Sequence, residues 1–532
     1  MNMKSNISLS LLLILVLAVF LRLYKLDVVP PALNWDEIDA GYNAYTIANW
    51  GRDEWGDSFP LVFTSFKDDK HPVHIYLTTP FIKVFGLSDF ITRFPSALMG
   101  TVSILIIYFL SLYLFRNQLT ATLSALFLAV SPYHLQFSRG LWESNFALSF
   151  FLLGLMLFYR ALKYNGKLLS LSYLSFGISL FSYHSSKIVV IPIVVLLTVL
   201  YFKELKRRSF NFYSAIVVIL TFITILIISP RLTGLARVKQ TQFNQSEIEK
   251  TQIFKKTGSS FLGLGEATLN GLLAHFTPEY LFLKGDQSSR NSVKVFGEFY
   301  KIDALFLIIG LIILLNLRSR VTLVMFLWLL ISPLPASVVQ GAPNANRAIF
   351  MLGSLNLITA LGASSLIGWF KGRSRAVIIV AILIALSIQV FSFLNYYFNV
   401  YPKKDPHDWQ YGMKQAVEFV KDHDEEYDQV FMTEARSQPY IFFLYYLKTP
   451  LPEFLRRAFY NHSDSKSFST VSAFGKYYFG GWDTVESMPL SRVLYILTTT
   501  EYDGLKHKVE FDVKKIIRFP DGTNAFFVIS TK

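Results

Sequence analysis

The chain has 532 residues, 52% hydrophobic, 16% aromatic and only 17% charged, where an average soluble domain carries roughly 25% charge, so a membrane protein is expected. It contains no cysteine, which excludes disulfides, thiolate metal sites and a cysteine nucleophile. Much of the net charge of +14 sits at the ends of apolar runs, where the positive-inside rule accounts for it, and nucleic acid is set aside as a partner.

Apolar runs alternate with short basic linkers up to about residue 395, after which polarity rises and stays high. A transmembrane domain over residues 1–395 and a soluble α/β domain over 396–532 are therefore expected. Ile7 to Leu26 follows Lys4 with no small-residue cleavage site behind it, and reads as a retained first helix. Six more runs come at Leu98 to Phe115, Leu119 to Val130, Phe146 to Phe158, Leu168 to Phe181, Ile188 to Phe202 and Phe212 to Ser229. Four follow at Ala304 to Leu317, Val321 to Leu334, Ala348 to Leu366 and Ala376 to Leu394, giving about eleven spans. Several fall short of the roughly 20 residues a span needs, so their helices should extend into residues such as Arg93, Tyr133 or Tyr183.

One set of linkers is short, basic and nearly free of acid: Arg116; Arg160, Lys163 and Lys167; Lys203 to Arg208; Arg318 and Arg320; Lys371 to Arg375. These read as cytoplasmic, with the N-terminus on the same side. The longer, mixed loops 27–89 and 230–301 and the turns near 131–145, 182–187 and 335–347 are then outside, as is the tail after residue 396. In that tail Tyr411 to Val420 reads as helix, and Gln429 to Met432, Arg492 to Leu497 and Ala525 to Ile529 as strands.

The first outer loop is dense in carboxylates: Asp36, Glu37, Asp39, Asp53, Glu54, Asp57, Asp68 and Asp69. Charge this close to a bilayer points to function. Trp35 to Trp50 and Ile75 to Phe85 read as amphipathic helices lying in the membrane interface. Asp36 and Glu37 also suit a helix N-terminus, where they complement the macrodipole. The run Asp68-Asp69-Lys70-His71-Pro72 reads as a turn before the second interface helix, and its lysine is either a ligand for a phosphate oxygen or a solvated surface charge. Arg93, Arg139, Lys187 and Arg347 stand at outer ends of spans, where snorkelling explains any one of them but their recurrence calls for an anionic partner. His184 reads first as a packed interfacial histidine. Walker, HExxH and Gly-x-Ser-x-Gly patterns are absent, which argues against nucleotide hydrolysis and zinc proteolysis.

In order, these features resemble the GT-C membrane glycosyltransferases, in the branch of the protein O-mannosyltransferases and lipid A aminoarabinose transferases. The resemblance rests on Asp36-Glu37 after the first span, the Lys70 to Pro72 turn, and Arg93-Phe94-Pro95-Ser96-Ala97-Leu98 opening the second span. The segment His275 to Phe282, with Lys284-Gly285-Asp286, resembles the family's long outer loop. The match covers about residues 1–400; where the family has Lys-Pro-Pro, this chain has Lys70-His71-Pro72.

The resemblance implies transfer of a sugar from a polyprenyl-phosphate donor to an acceptor hydroxyl of a protein, glycan or lipid, on the outer face and with inversion. An acceptor hydroxyl wants a carboxylate base, and Asp36 is the first choice, with Glu37 and Asp69 in reserve. Lys70, Arg93, Arg139 and Arg347 are the candidates to stabilise the leaving phosphate. His71, His184, Lys187, His275 and Glu279 are candidate substrate contacts. A divalent metal is chemically feasible but none is expected to be required. Three rivals remain: a flippase or transporter of lipid-linked sugars, for which matching broken spans are not seen; a binding or assembly protein with a degenerate site, against which Asp36, Lys70 and Arg93 argue; and an oligosaccharyltransferase, for whose Trp-Trp-Asp sequence the chain offers only Gly481-Trp482-Asp483.

Overall fold

The computed structural model describes residues 9–66, 68–234, 238, 240–461, 470–482 and 490–532. It divides into two compact units, Met1–Tyr24 with Ser96–Tyr396, and Lys25–Pro95 with Tyr397–Lys532. Residues 27–89, which the sequence attaches to the transmembrane domain, thus group with the C-terminal residues. Side chains tie them there: Tyr42 Oη donates to Thr449 O at 3.0 Å, Thr92 Oγ1 bonds Tyr445 Oη at 2.7 Å, and Lys414 Nζ meets Asp89 at 2.8 Å.

Each of the eleven apolar runs is centred on a helix. Among the described residues six helices are long and apolar enough to cross a membrane: Asp89–Phe115, Glu143–Lys163, Phe210–Ile228, Arg320–Ser337, Met351–Gly368 and Gly372–Asn399. Leu9–Leu23, Gln118–Val130, Leu168–Leu180 and Ser186–Leu200 are shorter apolar helices. The expected extension occurs at Arg93, inside Asp89–Phe115, but not at Tyr133 or Tyr183. Tyr133 lies on a separate helix, Pro132–Arg139, because Ser131 caps it by accepting from His134 N and Pro132 fills the first position, where no amide hydrogen is needed. After Leu180 the chain turns until Ser186.

Apolar side chains give helices no preference for each other over lipid, so the helical unit is joined by small and hydroxyl residues. Ser103 bonds Ser149 and Thr120 bonds Ser364, both at 2.7 Å, and Asn356 donates to Ser124 O at 2.9 Å. Helices Lys301–Leu317 and Met351–Gly368 touch backbone to backbone: a Cβ on Gly362 would collide with Phe306 O, and one on Gly310 with Ile358 O.

In the second unit four elements come first: α2 (Trp35–Trp50), a hairpin of β1 (Phe63–Ser65) and β2 (Asp68–Lys70), and α3 (Pro72–Phe85). The first helix of the chain, Leu9–Leu23, is α1, and α4 is Asp89–Phe115. The Asp68 to Lys70 run is therefore a strand rather than a turn, paired so that Lys70 lies opposite Phe63 and Asp69 opposite Thr64. Nor does α2 show a wet face: Glu37 to Ala44, Thr46 and Ile47 are all buried. Its polar stripe is met by the Glu54 segment, whose amide bonds Asn43, while on the opposite face Gly41 lets the Tyr445 ring approach, within 2.8 Å of where a Cβ would stand.

The C-terminal residues form a seven-stranded mixed sheet. Its strands are β3 (Gln429–Thr433), β4 (Ala458–Tyr460), β5 (Val471–Phe474), β6 (Tyr477–Gly480), β7 (Val493–Thr498), β8 (Phe511–Arg518) and β9 (Asn524–Thr531). They run in the order β4-β5-β6-β3-β7-β9-β8, with β3 parallel to both its neighbours. Helix Met413–Asp422 and β3, β7 and β9 fall where the sequence puts them. Trp482 is a core residue, edge-on to Tyr495 at 5.6 Å and Phe511 at 6.2 Å, while Asp483 lies outside the described residues. The tyrosines Tyr440 and Tyr445 are buried on helix Pro439–Tyr446, so they offer no open stacking face for sugar.

The backbone contact at Gly362 gives a direct test. Gly362→Val should cost about 3 kcal/mol, the upper end for overpacking, read as a lowered midpoint of thermal unfolding in detergent. Gly368→Val, where nothing stands within 4 Å, should leave the midpoint near that of the wild type.

Candidate active site

The expected site residues divide between the units. In the second unit α2 begins at a capping box: Asn34 Oδ1 accepts from the amides of Asp36 and Glu37, and Glu37 Oε2 accepts from Asn34 N at 3.1 Å. Glu37 also forms a two-point ion pair with Arg93, Nε to Oε1 at 2.8 Å and Nη2 to Oε2 at 3.0 Å, with side chains 1% and 0% exposed. Arg93 Nη1 donates to Leu26 O and Pro30 O, and Nη2 to Ala32 O. A guanidinium has five N–H donors, and every one is directed at these partners. Arg93 is thus a clamp on residues 26–37 rather than a phosphate ligand, and Glu37 is its counterion rather than a base.

Asp36, one residue earlier, has a different fate. Its Oδ1 lies 2.6 Å from Lys70 Nζ, and the two side chains keep 29% and 19% exposure. The helix start places Asp36 and the end of β2 places Lys70, so two fixed backbones hold a carboxylate against an ammonium at a place solvent can reach. Asp69, beside Lys70, is half-buried, with its amide bonded to Asp68 Oδ1. His71 is buried at the N-terminus of α3, where it makes no side-chain cap.

Behind this pair lies a layer that sequence reading did not single out: Asp39, Asn43, Glu54 and His74, all buried. Asn43 Nδ2 donates to Asp39 O at 3.1 Å and Asp39 Oδ1 at 3.3 Å, and Asn43 Oδ1 accepts from Glu54 N at 2.9 Å. Burial pushes the Asp39 carboxyl up to about 7, against the pull of Lys70 and Ser65, and pushes Glu54 well above the usual carboxylate range, with Asp39 and Asp53 adding to the effect. Burial, helped by Lys70, lowers His74 to about 3. Glu54 and His74 are neutral at pH 7 and Asp39 is partly protonated there, so the layer carries much less charge than its composition suggests behind the Asp36–Lys70 pair. The signal was present: Asp36, Asp39 and Asn43 recur at helical spacing, a polar stripe among the apolar and aromatic residues that drew attention. Among the described residues no three His, Asp or Glu side chains gather as a metal site.

The helical unit holds the other candidates. Arg139 is fully buried and donates to Leu21 O at 2.7 Å, Arg22 O at 3.0 Å and Tyr24 O at 2.8 Å. It caps the carbonyl end of α1, where a cation offsets the helix dipole. His275 is buried, donating from Nδ1 to Gly271 O at 2.8 Å while Nε2 accepts from Asn344 N at 3.0 Å, and burial holds it down to about 4. It pins two loops together and stays neutral. Asp286, from the Lys284-Gly285-Asp286 run, accepts from Ala345 N, Ser288 N and Asn291 Nδ2. Arg347 is half-buried, donating to Gln340 O at 3.0 Å. His184 packs against Gly234, Lys187 lies 3.5 Å from Tyr183 O, and Glu279 is exposed in an ion pair with Lys284 at 2.6 Å.

The chain, with an apolar multi-helix unit and a mixed-sheet C-terminal unit, is a multi-pass membrane protein, and it shares its fold with the solved structures that follow. The model of the dolichyl-phosphate-mannose-protein mannosyltransferase family matches residues 69–233. ArnT from Cupriavidus metallidurans in the apo state aligns over 97% of this chain and 97% of its own, at 10% identity and a TM-score of 0.57. The same protein bound to undecaprenyl phosphate aligns over the same shares, at 11% identity and a TM-score of 0.56. The Archaeoglobus fulgidus oligosaccharyltransferase tethered with an acceptor peptide aligns over 97% of this chain and 73% of its own, at 14% identity and a TM-score of 0.53. No curated protein matches the chain.

Two outcomes follow from these assignments. Glu37→Gln leaves the buried Arg93 charge without its counterion and should cost about 3–5 kcal/mol, seen as a large drop in unfolding midpoint, whereas Asp36→Asn should unfold within a few degrees of the wild type. For Asp39, the unfolded carboxyl ionises near 3.8 and the folded one near 7. The folded state therefore binds the proton more tightly, and stability falls as pH rises through that interval and levels off above it. Asp39→Asn should flatten this fall; an unchanged slope would place the proton elsewhere.

Proposed function

We propose that the protein transfers a sugar from a polyprenyl-phosphate donor to an acceptor hydroxyl on the outer face of the membrane, with inversion at the anomeric carbon. The observation that carries this reading is the Asp36–Lys70 pair at 2.6 Å, on the fold of ArnT, a protein crystallised bound to undecaprenyl phosphate. Before donor binds, Lys70 neutralises Asp36. A donor phosphate would draw the ammonium to itself, leaving Asp36 Oδ1 to accept a hydrogen bond from the incoming hydroxyl.

The acceptor oxygen then bonds to the anomeric carbon from the face opposite the phosphate. The bond from that carbon to the phosphate oxygen breaks, and the polyprenyl phosphate leaves with the electron pair beside Lys70. The hydroxyl proton passes to Asp36. Asp69 is the reserve base. Glu37, Arg93, Arg139 and His275 act in this reading as scaffold, while His71, His184, Lys187 and Glu279 remain candidate substrate contacts. In this reading no metal is required, since the Lys70 ammonium can meet the leaving charge. The basic linkers support a cytoplasmic N-terminus and an outer C-terminal unit.

Purified protein in lipid, incubated with radiolabelled polyprenyl-phosphate hexoses and cell-envelope acceptors, should move label to an acceptor. Asp36→Asn should slow this by about 10²–10⁴-fold, the usual worth of a general base, and Lys70→Met should weaken donor use more than acceptor use. Label crossing the bilayer on its lipid with no acceptor labelled would replace the transferase with a flippase.

A further inference from the structure

The helical unit contains a cavity of about 860 Å³ that the proposed reaction does not use. It lies at the basic-linker ends of the helices, among the last turn of α4, the start of Gln118–Val130, the end of Glu143–Lys163 and the ends of Lys301–Leu317 and Met351–Gly368. Two cations line it, Arg116 and Lys163, both exposed, and no aspartate or glutamate does. Glu204, on the short helix after Tyr201, is already paired with Arg320 at 2.6 Å.

Deeper in, the wall has its own donors. Thr120 and Ser364 bond each other at 2.7 Å, and the buried Tyr159 hydroxyl is paired with that of Tyr201. Leucine, isoleucine and aromatic side chains, Trp369 among them, make up most of the remaining wall. Cations at the mouth with no carboxylate among them, and largely apolar walls behind, match one chemistry, a phosphate ester carried on a hydrocarbon chain.

We propose that this cavity is a binding site for the headgroup of an anionic phospholipid, held by Arg116 and Lys163. Removal of a cation from such a site lowers affinity roughly fivefold, so loss of both should exceed tenfold. The site stands apart from Asp36 and Lys70 and does not depend on the transfer reaction.

The full-length protein in neutral detergent can be titrated with dioleoylphosphatidylglycerol and bound lipid counted by native mass spectrometry. Dioleoylphosphatidylcholine and inorganic phosphate serve as parallel arms. Arg116→Gln with Lys163→Gln should lower phosphatidylglycerol retention more than tenfold, on protein with a wild-type unfolding midpoint. Lys206→Gln with Arg207→Gln, which removes two charges of the same side outside the lining, should leave it unchanged. Equal loss in that control, or wild-type retention in the first pair, would overturn the site. Equal retention of phosphatidylcholine would overturn the anionic headgroup, and displacement by millimolar inorganic phosphate would overturn the lipid.

Discussion

Arg93 directs all five of its N–H donors inward, two to Glu37 and three to the carbonyls of residues 26–32. A pair of charges taken wholly out of water loses hydration that their mutual attraction only partly repays, so its contribution lies less in net stability than in geometry. Few other arrangements would satisfy so many buried groups at once. The clamp fixes the entry to α2, the capping box fixes its first turn, and the Asp36 carboxylate stands where that turn puts it. The hairpin of β1 and β2 then brings Lys70 to the same place by strand register.

The layer behind that pair decides how strongly it is felt. Asp39 and Glu54 are buried beside one another, and two ionised carboxylates there would repel each other and Asp36. Burial keeps Glu54 protonated and Asp39 partly protonated near neutral pH, and His74 is held neutral by the same loss of solvent. A cation at Lys70 therefore faces little competing negative charge from beneath, and its field is available to a group arriving from solvent. Asn43, bonded to Asp39 and to the Glu54 amide, keeps the layer in one arrangement.

The long-range plan was legible because it rests on periodicity and hydropathy, which are local. The eleven apolar runs and the helix over Trp35–Trp50 came from spacing alone. The roles of neighbouring charges were not legible. Asp36, Glu37 and Asp39 lie within four residues of each other, yet one is partly exposed, one is clamped and one is buried and partly protonated. Arg93 and Arg139 looked like anion ligands because sequence records a cation but not the carbonyls around it; both bind backbone oxygens instead. The grouping of residues 25–95 with the C-terminal sheet was invisible for a similar reason, since Tyr42, Thr92 and Asp89 find partners more than 300 positions away.

The central claim is that Asp36 supplies chemistry while its neighbour Glu37 supplies architecture. The most direct measurement is the single-turnover transfer rate of Asp36→Asn in lipid at saturating donor, with and without added formate. A rate lowered by about 10²–10⁴-fold and partly restored by formate, on protein with a native unfolding midpoint, is the predicted result. A wild-type rate without formate, or a lost rate that no small carboxylate restores although donor still binds, would contradict it.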